Sequence, residues 1–406
     1  QAVFTNTVGK IMAESKDIVE IEKGQLNTVT NGAKKTEGIT KYEIKGAEGN
    51  AVVEGNIIFK EGNKEGTTYY TGKELPLYKG ETKWYVDEQG IISLNVNGTK
   101  YGEGNQEGET IPPKPEDPVY EEAVVGEKVT GSVKQYTDTN GDKAIIPIDF
   151  AIVPGKNVIQ NGLVISDVAN DTGDTGNQFV WVPVKDMSTF EREQGYYNGN
   201  FQTNYSFESF SEPLEYEGEL ACEDEINEYN KMKASVEEYH GFYIGRYEIS
   251  NDGADNAQSK KNKDPWVSIK WGNSMNDLSG GMVEKAREMY KEAEAIKGKA
   301  VSTLVYGVCW DETIRFIKKN YPNIEKNSSG HGNYGTGSKI QTGSREEYAL
   351  NNIYDIAGNV WEWTMEAYQS TSRGFRGGIH AFTGLYCPVS CRNHLNFSDT
   401  DINLGG

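Results

Sequence analysis

Asn351-Asn352-Ile353-Tyr354-Asp355-Ile356-Ala357-Gly358-Asn359-Val360-Trp361-Glu362-Trp363 is the run from which the rest of the chain is best read, and it leads on to Arg376-Gly377-Gly378. Gly358 and Asn359 are residue types that accept positive φ, so a tight turn is expected just ahead of Val360. In an extended segment beyond that turn, Trp361 and Trp363 share one face and bury, and Glu362 points to the other. Glu362 then needs a partner. Asp355 lies across the turn, and the two carboxylates with the carbonyls of Gly358 and Val360 would make an oxygen cage for Ca²⁺. The competing arrangement pairs Glu362 with an arginine such as Arg373 or Arg376, and residue types alone favour it.

From Ile379 the chain changes character. It reads IHAFTGLYCPVSCRNHLNFSDTDINLGG, with no Lys, Glu, Gln, Met or Trp, although Lys and Glu are abundant elsewhere. These five residues cannot arise from an AAC or AAT codon by changing only its adenines, whereas His, Ala, Phe, Gly, Leu, Tyr, Cys, Ser, Asn and Asp can. The positions expected at the surface are His380, Ala381, Phe382, Gly384, Leu385, Tyr386, Cys387, Asn393, His394, Leu395, Asn396 and Phe397. Aromatic and aliphatic side chains interleaved with His and Asn suit a protein-binding surface. The plainer alternatives are a short, lysine-poor loop, with some of the apolar residues simply core.

The run IYDIAGNVWEW, then RGG, CRN and the closing NLGG, resembles the formylglycine-generating-enzyme-like (sulfatase-modifying factor) superfamily, a branch of the C-type-lectin fold. Residues 241–250 (GFYIGRYEIS) resemble one of its strands, residues 179–184 stand where an opening strand is expected, and residues 301–318 stand where the family has a helix. The resemblance covers roughly the last 230 to 270 residues and rests mainly on GNVWEW plus RGG. It implies a C-type-lectin fold, and calcium at the turn before WEW, with Asp355, Gly358, Val360 and Glu362 as ligands. The adenine-compatible tail resembles the variable region of diversity-generating-retroelement proteins, whose lectin-fold domains use such a segment as a binding face.

The catalytic members of the superfamily carry a copper-binding cysteine pair after RGG. Here those two positions are Phe382 and Cys387, and phenylalanine offers Cu(I) no thiolate. Cys391 follows but is out of register. The four histidines, His240, His331, His380 and His394, include no pair at helical metal spacing. Binding is therefore expected in place of oxidase chemistry. A metal-dependent oxidase and a structural pilus or fibre subunit are the alternatives.

At 406 residues two or three domains are expected. A net charge of −20 makes nucleic acid and anionic membranes poor partners. Cys222, Cys309, Cys387 and Cys391 are too few for a disulfide scaffold, and Cys387 with Cys391 reads equally as a bridge or as two thiols. The chain opens on Gln1 and stops at Gly406 inside the closing motif, as a trimmed chain would. The lack of an apolar spanning run therefore has little weight, and display on a bacterial surface or outside the cell is expected, with the anchoring segment missing.

The expected organisation is an N-terminal helix plus antiparallel sheet over 1–101, a Pro/Glu-rich linker over 102–125, and a C-type-lectin-fold ligand-binding domain over 126–406, α+β throughout. Phe4, Val8, Ile11, Met12, Ser15, Ile18 and Val19 recur at helical spacing, and strands are expected at 41–44, 51–59, 67–70, 83–86 and 91–96. A helix followed by such a sheet resembles a type IV pilin or pseudopilin head, which would allow self-assembly through the helix. A generic small α+β module fits as well. Asp138-Thr139-Asn140-Gly141-Asp142 has calcium-loop spacing but lacks the EF-hand glycine and glutamate, so Asn140-Gly141 is read as a type I′ hairpin turn. Helices are expected at 283–296, with a solvated face, and at 311–319, packed on the core. Residues 325–344 read as a long loop with His331 exposed. The partner is expected to be a protein or a glycan.

Overall fold

The computed structural model describes residues 120–203, 209–212, 223–291 and 297–405, and in residues 1–119 only the backbone of paired strands. The chain divides into two units, Gln1–Val119 and Tyr120–Gly406.

The described residues of the first unit are short paired strands. Val3–Asn6 pairs antiparallel with Gly9–Lys10 on one side and Gly49–Glu54 on the other, and Lys73–Leu77 completes that sheet. A second sheet runs Thr99–Tyr101, Ile92–Val96, Thr82–Val86, Thr40–Ile44. The helix expected from Phe4 onward is corrected at residues 3–6 and 9–10, where Val3, Phe4 and Thr5 prefer a pleated strand and lose side-chain freedom in a helix. Residues 7–8 and 11–20, the expected strand at 67–70 and the proline-rich spacer lie outside the described residues.

The second unit opens with a hairpin, β1 (Lys134–Thr137) and β2 (Lys143–Ile146). Its loop is five residues long, and Gly141 has positive φ while Asn140 does not. The type I′ expectation at Asn140-Gly141 is thus corrected. The Asp138 carboxylate accepts the N–H groups of Asn140, Asp142 and Ile159, which holds a wider loop and uses the acid for backbone satisfaction. A four-stranded antiparallel sheet follows: β3 (Ala151–Ile152), β4 (Val164–Ser166), β5 (Gln178–Pro183) and, after an excursion, β8 (Gly241–Gly245). The excursion contains the small hairpin β6 (Tyr196–Tyr197) and β7 (Asn200–Phe201), then helix α1 (Glu223–Tyr239). In α1, Tyr229, Met232 and Val236 form the apolar stripe that meets the core.

Helix α2 (Met282–Glu288) is shorter than expected and is not a solvated face. Met282, Val283 and Ala286 are buried in the main core. Residues 292–296 lie outside the described residues. Helix α3 (Gly307–Lys318) has ten of its twelve residues buried and packs on both β5 and β9 (Trp361–Gln369). Strands β10 (Ser372–Arg376), β11 (Asn393–Asn396) and β12 (Leu404–Gly405) join β9 in a second sheet of order β11-β10-β9-β12, antiparallel except for β9 with β12. Trp361 and Trp363 point together into the core and meet Phe375 edge-on, with centroids 5.0 and 5.8 Å away. The indole of Trp363 donates to the Ile269 carbonyl, so burial leaves no orphan donor.

Candidate functional site

The turn ahead of β9 takes the expected form, with Asp355, Gly358 and Asn359 all at positive φ. Asp355 is fully buried; its Oδ2 accepts the Gly343 N–H at 2.7 Å, and its Oδ1 has no hydrogen-bond partner. Glu248, just beyond β8, enters the same place. It accepts from the Asn359 side chain at 2.5 Å and from the Val360 N–H at 3.3 Å. Glu362 stands opposite Arg376 in the β9–β10 register, yet the arginine pairing expected of it is corrected. Arg373 turns to Glu225 and Arg376 to Asp311 and Glu366, and Glu362 has no ion pair or hydrogen bond among the described residues.

Buried Asp355 and Glu248 and half-buried Glu362 thus come together with no basic side chain beside them among the described residues. Burial raises Asp355 to about 6. Burial and then Asp355 raise Glu362 to about 8. Glu248 is pushed up by burial and by both neighbouring acids. Among the described residues no three His, Cys, Asp or Glu side chains are arranged to hold a metal ion by themselves. A cation here would have to draw on turn carbonyls as well. The unpartnered Asp355 oxygen, the all-oxygen donor set and the like-charge crowding suit a hard cation such as Ca²⁺.

Four residues further along β9 the chemistry is reversed. Glu366 and Asp311 are buried, and Arg376 and Arg392 bridge both. Arg376 reaches Asp311 at 2.6 Å and Glu366 at 3.0 Å; Arg392 reaches Asp311 at 2.5 Å and Glu366 at 2.9 Å. Burial alone would raise Glu366, but Arg392, Arg376 and Arg192 hold it down at about 2. Arg376 ends β10 and Arg392 precedes β11, so this network ties both ends of residues 377–391 to α3 and β9. A disulfide between Cys387 and Cys391 adds a further constraint and settles the bridge-or-thiols alternative in favour of the bridge.

The anchored segment rises between these ties as a series of turns: Phe382 N–H to the Ile379 carbonyl, Tyr386 N–H to the Thr383 hydroxyl, Cys387 N–H to the Thr383 carbonyl. Of the expected surface positions, Ala381, Phe382, Leu385, Tyr386 and Asn396 are exposed, and Asn393, His394, Leu395 and Phe397 are half-buried. His380, Gly384 and Cys387 are corrected to buried. His380 faces Asn403 at 3.2 Å, Cys387 is in the disulfide, and a Cβ on Gly384 would stand 2.2 Å from the Ser329 nitrogen. Leu395 and Phe397 lean on the main core and His394 stacks on Tyr368, so β11 is partly structural. His331 is half-buried beside Tyr321 rather than exposed.

The β6–β7 hairpin, unanticipated from the sequence, stands against this segment. Its turn residues Asn198 and Gly199 both have positive φ, as a type I′ turn requires. Tyr197 meets Tyr386 with ring centroids 4.5 Å apart, and the hydrogen bond between them pushes the Tyr197 hydroxyl up to about 12. Phe382 packs on Tyr386 at 5.1 Å. Of the eight large hydrophobic side chains exposed among the described residues, Phe382, Leu385 and Tyr386 are on this segment and Phe201 is on the hairpin, against Tyr196 on the side away from Tyr197.

No protein-family model matches the chain, and no curated protein matches it. Among solved structures, it is similar to Treponema denticola variable protein 1, at 12% identity over 57% of this chain and 95% of that one, with a TM-score of 0.31. It is also similar to a Major Tropism Determinant I1 variant, at 13% identity over 89% of this chain and 94% of that one, with a TM-score of 0.28. Likenesses at that level leave the reading of this chain to its own residues.

Proposed function

We propose that the chain is a surface-displayed, adhesin-like binding protein of C-type-lectin type, and that the exposed part of residues 379–397 is its retroelement-diversified ligand face. The observation that supports this most directly is the separation between anchor and face. Phe382, Leu385 and Tyr386 are exposed on a loop whose two ends are tied down by buried ion pairs and a disulfide. Exposing apolar rings in a cluster is a poor arrangement for a surface with nothing to bind. The Cys387–Cys391 bridge agrees with an oxidising, extracellular setting. It also counts against the oxidase alternative, because the thiol at the second copper position is consumed and Phe382 occupies the first. Ca²⁺ at Asp355 and Glu362, with the Gly358 and Val360 carbonyls, is proposed as a structural ion supporting the turn.

The test is genetic. Sequencing the 3′ end of the coding region from sister cells should show substitutions at adenines, concentrated in the codons for residues 381, 382, 385, 386 and 393–397, beside a reverse transcriptase and an invariant near-copy. An invariant tail with no such near-copy would return the segment to an ordinary surface loop.

A further inference from the structure

We infer that the β6–β7 hairpin is the fixed half of the binding face, and that the composite surface takes a protein partner through an apolar patch free of acidic side chains. The inference rests on the binding reading above and adds residues outside the tail.

Backbone contacts hold the hairpin to the loop, whatever side chains the loop displays. Asn198 N–H donates to the Tyr386 carbonyl at 2.9 Å. Gln202 clamps the Arg392 backbone from both sides, donating to its carbonyl at 2.6 Å and accepting its N–H at 2.9 Å. Tyr196 N–H reaches the Ser390 hydroxyl at 3.0 Å. Changing the residues at 381, 382, 385 or 386 leaves all of these bonds available. On one side the hairpin gives Tyr197 to the loop. On the other, Tyr196 stacks on Phe201 at 4.7 Å, with the Lys326 ammonium 5.3 Å over the Tyr196 ring. Phe201 is 57% exposed, more than Phe382, Leu385 or Tyr386.

Charge points to the kind of partner. The chain has 61 acidic residues and a net charge of −20, yet neither residues 194–203 nor residues 379–398 contain an Asp or Glu. Those two segments meet at Tyr197 and Tyr386, and residues 326–336 border them, with Lys326 the charge nearest the rings. A surface of aromatic rings and Asn side chains, with Lys326 as its one nearby cation among the contacts above, carries little charge to strip of water, so it suits an apolar patch on another protein. A basic partner would find its attraction elsewhere on the molecule.

The experiment pans a phage-displayed library of random dodecapeptides on the immobilised whole chain, then measures one synthesised winning peptide against variants with unchanged melting temperature. The expected peptide is aromatic or aliphatic and near-neutral. Its affinity falls at least tenfold with Phe201→Ala and with Tyr196→Ala, as with Tyr386→Ala, and changes less than twofold between 50 and 500 mM NaCl. If Tyr386→Ala weakens binding and neither hairpin substitution does, the hairpin is excluded while the loop reading stands. If none of the three matters, both fail. Enrichment of basic peptides with a steep salt dependence overturns the assignment of the partner.

Discussion

Strand β9 carries two acids four residues apart, half-buried Glu362 and buried Glu366, and their surroundings are opposite. Glu366 shares two arginines with Asp311, and a third stands 3.8 Å away. Glu362 shares its space with Asp355 and Glu248 and has no base. The arginine cluster is closed by the chain itself and fixes where the exposed loop begins and ends. The acid cluster is open and is completed only by a proton or a cation. Acids in one sheet thus have two surroundings, one neutralised by arginines and one left to a proton or to the proposed Ca²⁺.

Breaking the closed cluster should have the largest effect. Arg392→Ala leaves Glu366 and Asp311 buried and under-compensated, and is expected to cost about 3–5 kcal/mol in chemical denaturation. A smaller loss would show that water enters and solvates the acids.

The open cluster predicts a smaller effect with a defined sign. Asp355, Glu248 and Glu362 have raised folded-state pKa values, so the folded chain holds more protons than the unfolded one from about pH 4 to about pH 8. Stability in EDTA should therefore fall as pH rises from 5 to 8. Glu366, held at about 2, loses its contribution only at lower pH and stays silent in this window. Ca²⁺ should flatten the slope, raising the melting temperature at pH 8 by several degrees, on the order of 1–2 kcal/mol. Glu362→Gln should flatten it without calcium and abolish the response to calcium. Glu225 and Glu312 are also raised by burial, so the comparison with Glu362→Gln is what isolates this cluster.

Much of the frame was legible because its signals are local. Gly358 and Asn359 supply the turn, and the alternation of Trp361, Glu362 and Trp363 places two rings inside and one acid on the other face. The β5 and β8 strands were expected from the family resemblance, and the core packing of the helix at 311–319 from Ile314, Phe316 and Ile317. The arginine cluster was not legible, because Asp311 meets Arg376 and Arg392 across 65 and 81 residues. For the same reason Glu362 was given an arginine that the fold commits elsewhere. The β6–β7 hairpin did have a signal, Asn198-Gly199 between Tyr-Tyr and Asn-Phe. The same dipeptide at Asn140-Gly141 misled, since Asp138 captured the loop's N–H groups. In the tail, exposure was read correctly where side chains leave the turns. It failed at His380, Gly384 and Cys387, which contact distant parts of the chain.

The smallest stability effects belong to the face, and they test the account most directly. A library randomising residues 378–392 one position at a time in the whole chain can be sorted for folded protein. Positions 381, 382, 385 and 386 should accept nearly every residue, with changes within about 0.5 kcal/mol, while Gly378, Gly384, Cys387 and Arg392 accept few. Intolerance at Phe382 and Tyr386 equal to that at Gly384 and Arg392 would make the loop part of the core and contradict a displayed binding face.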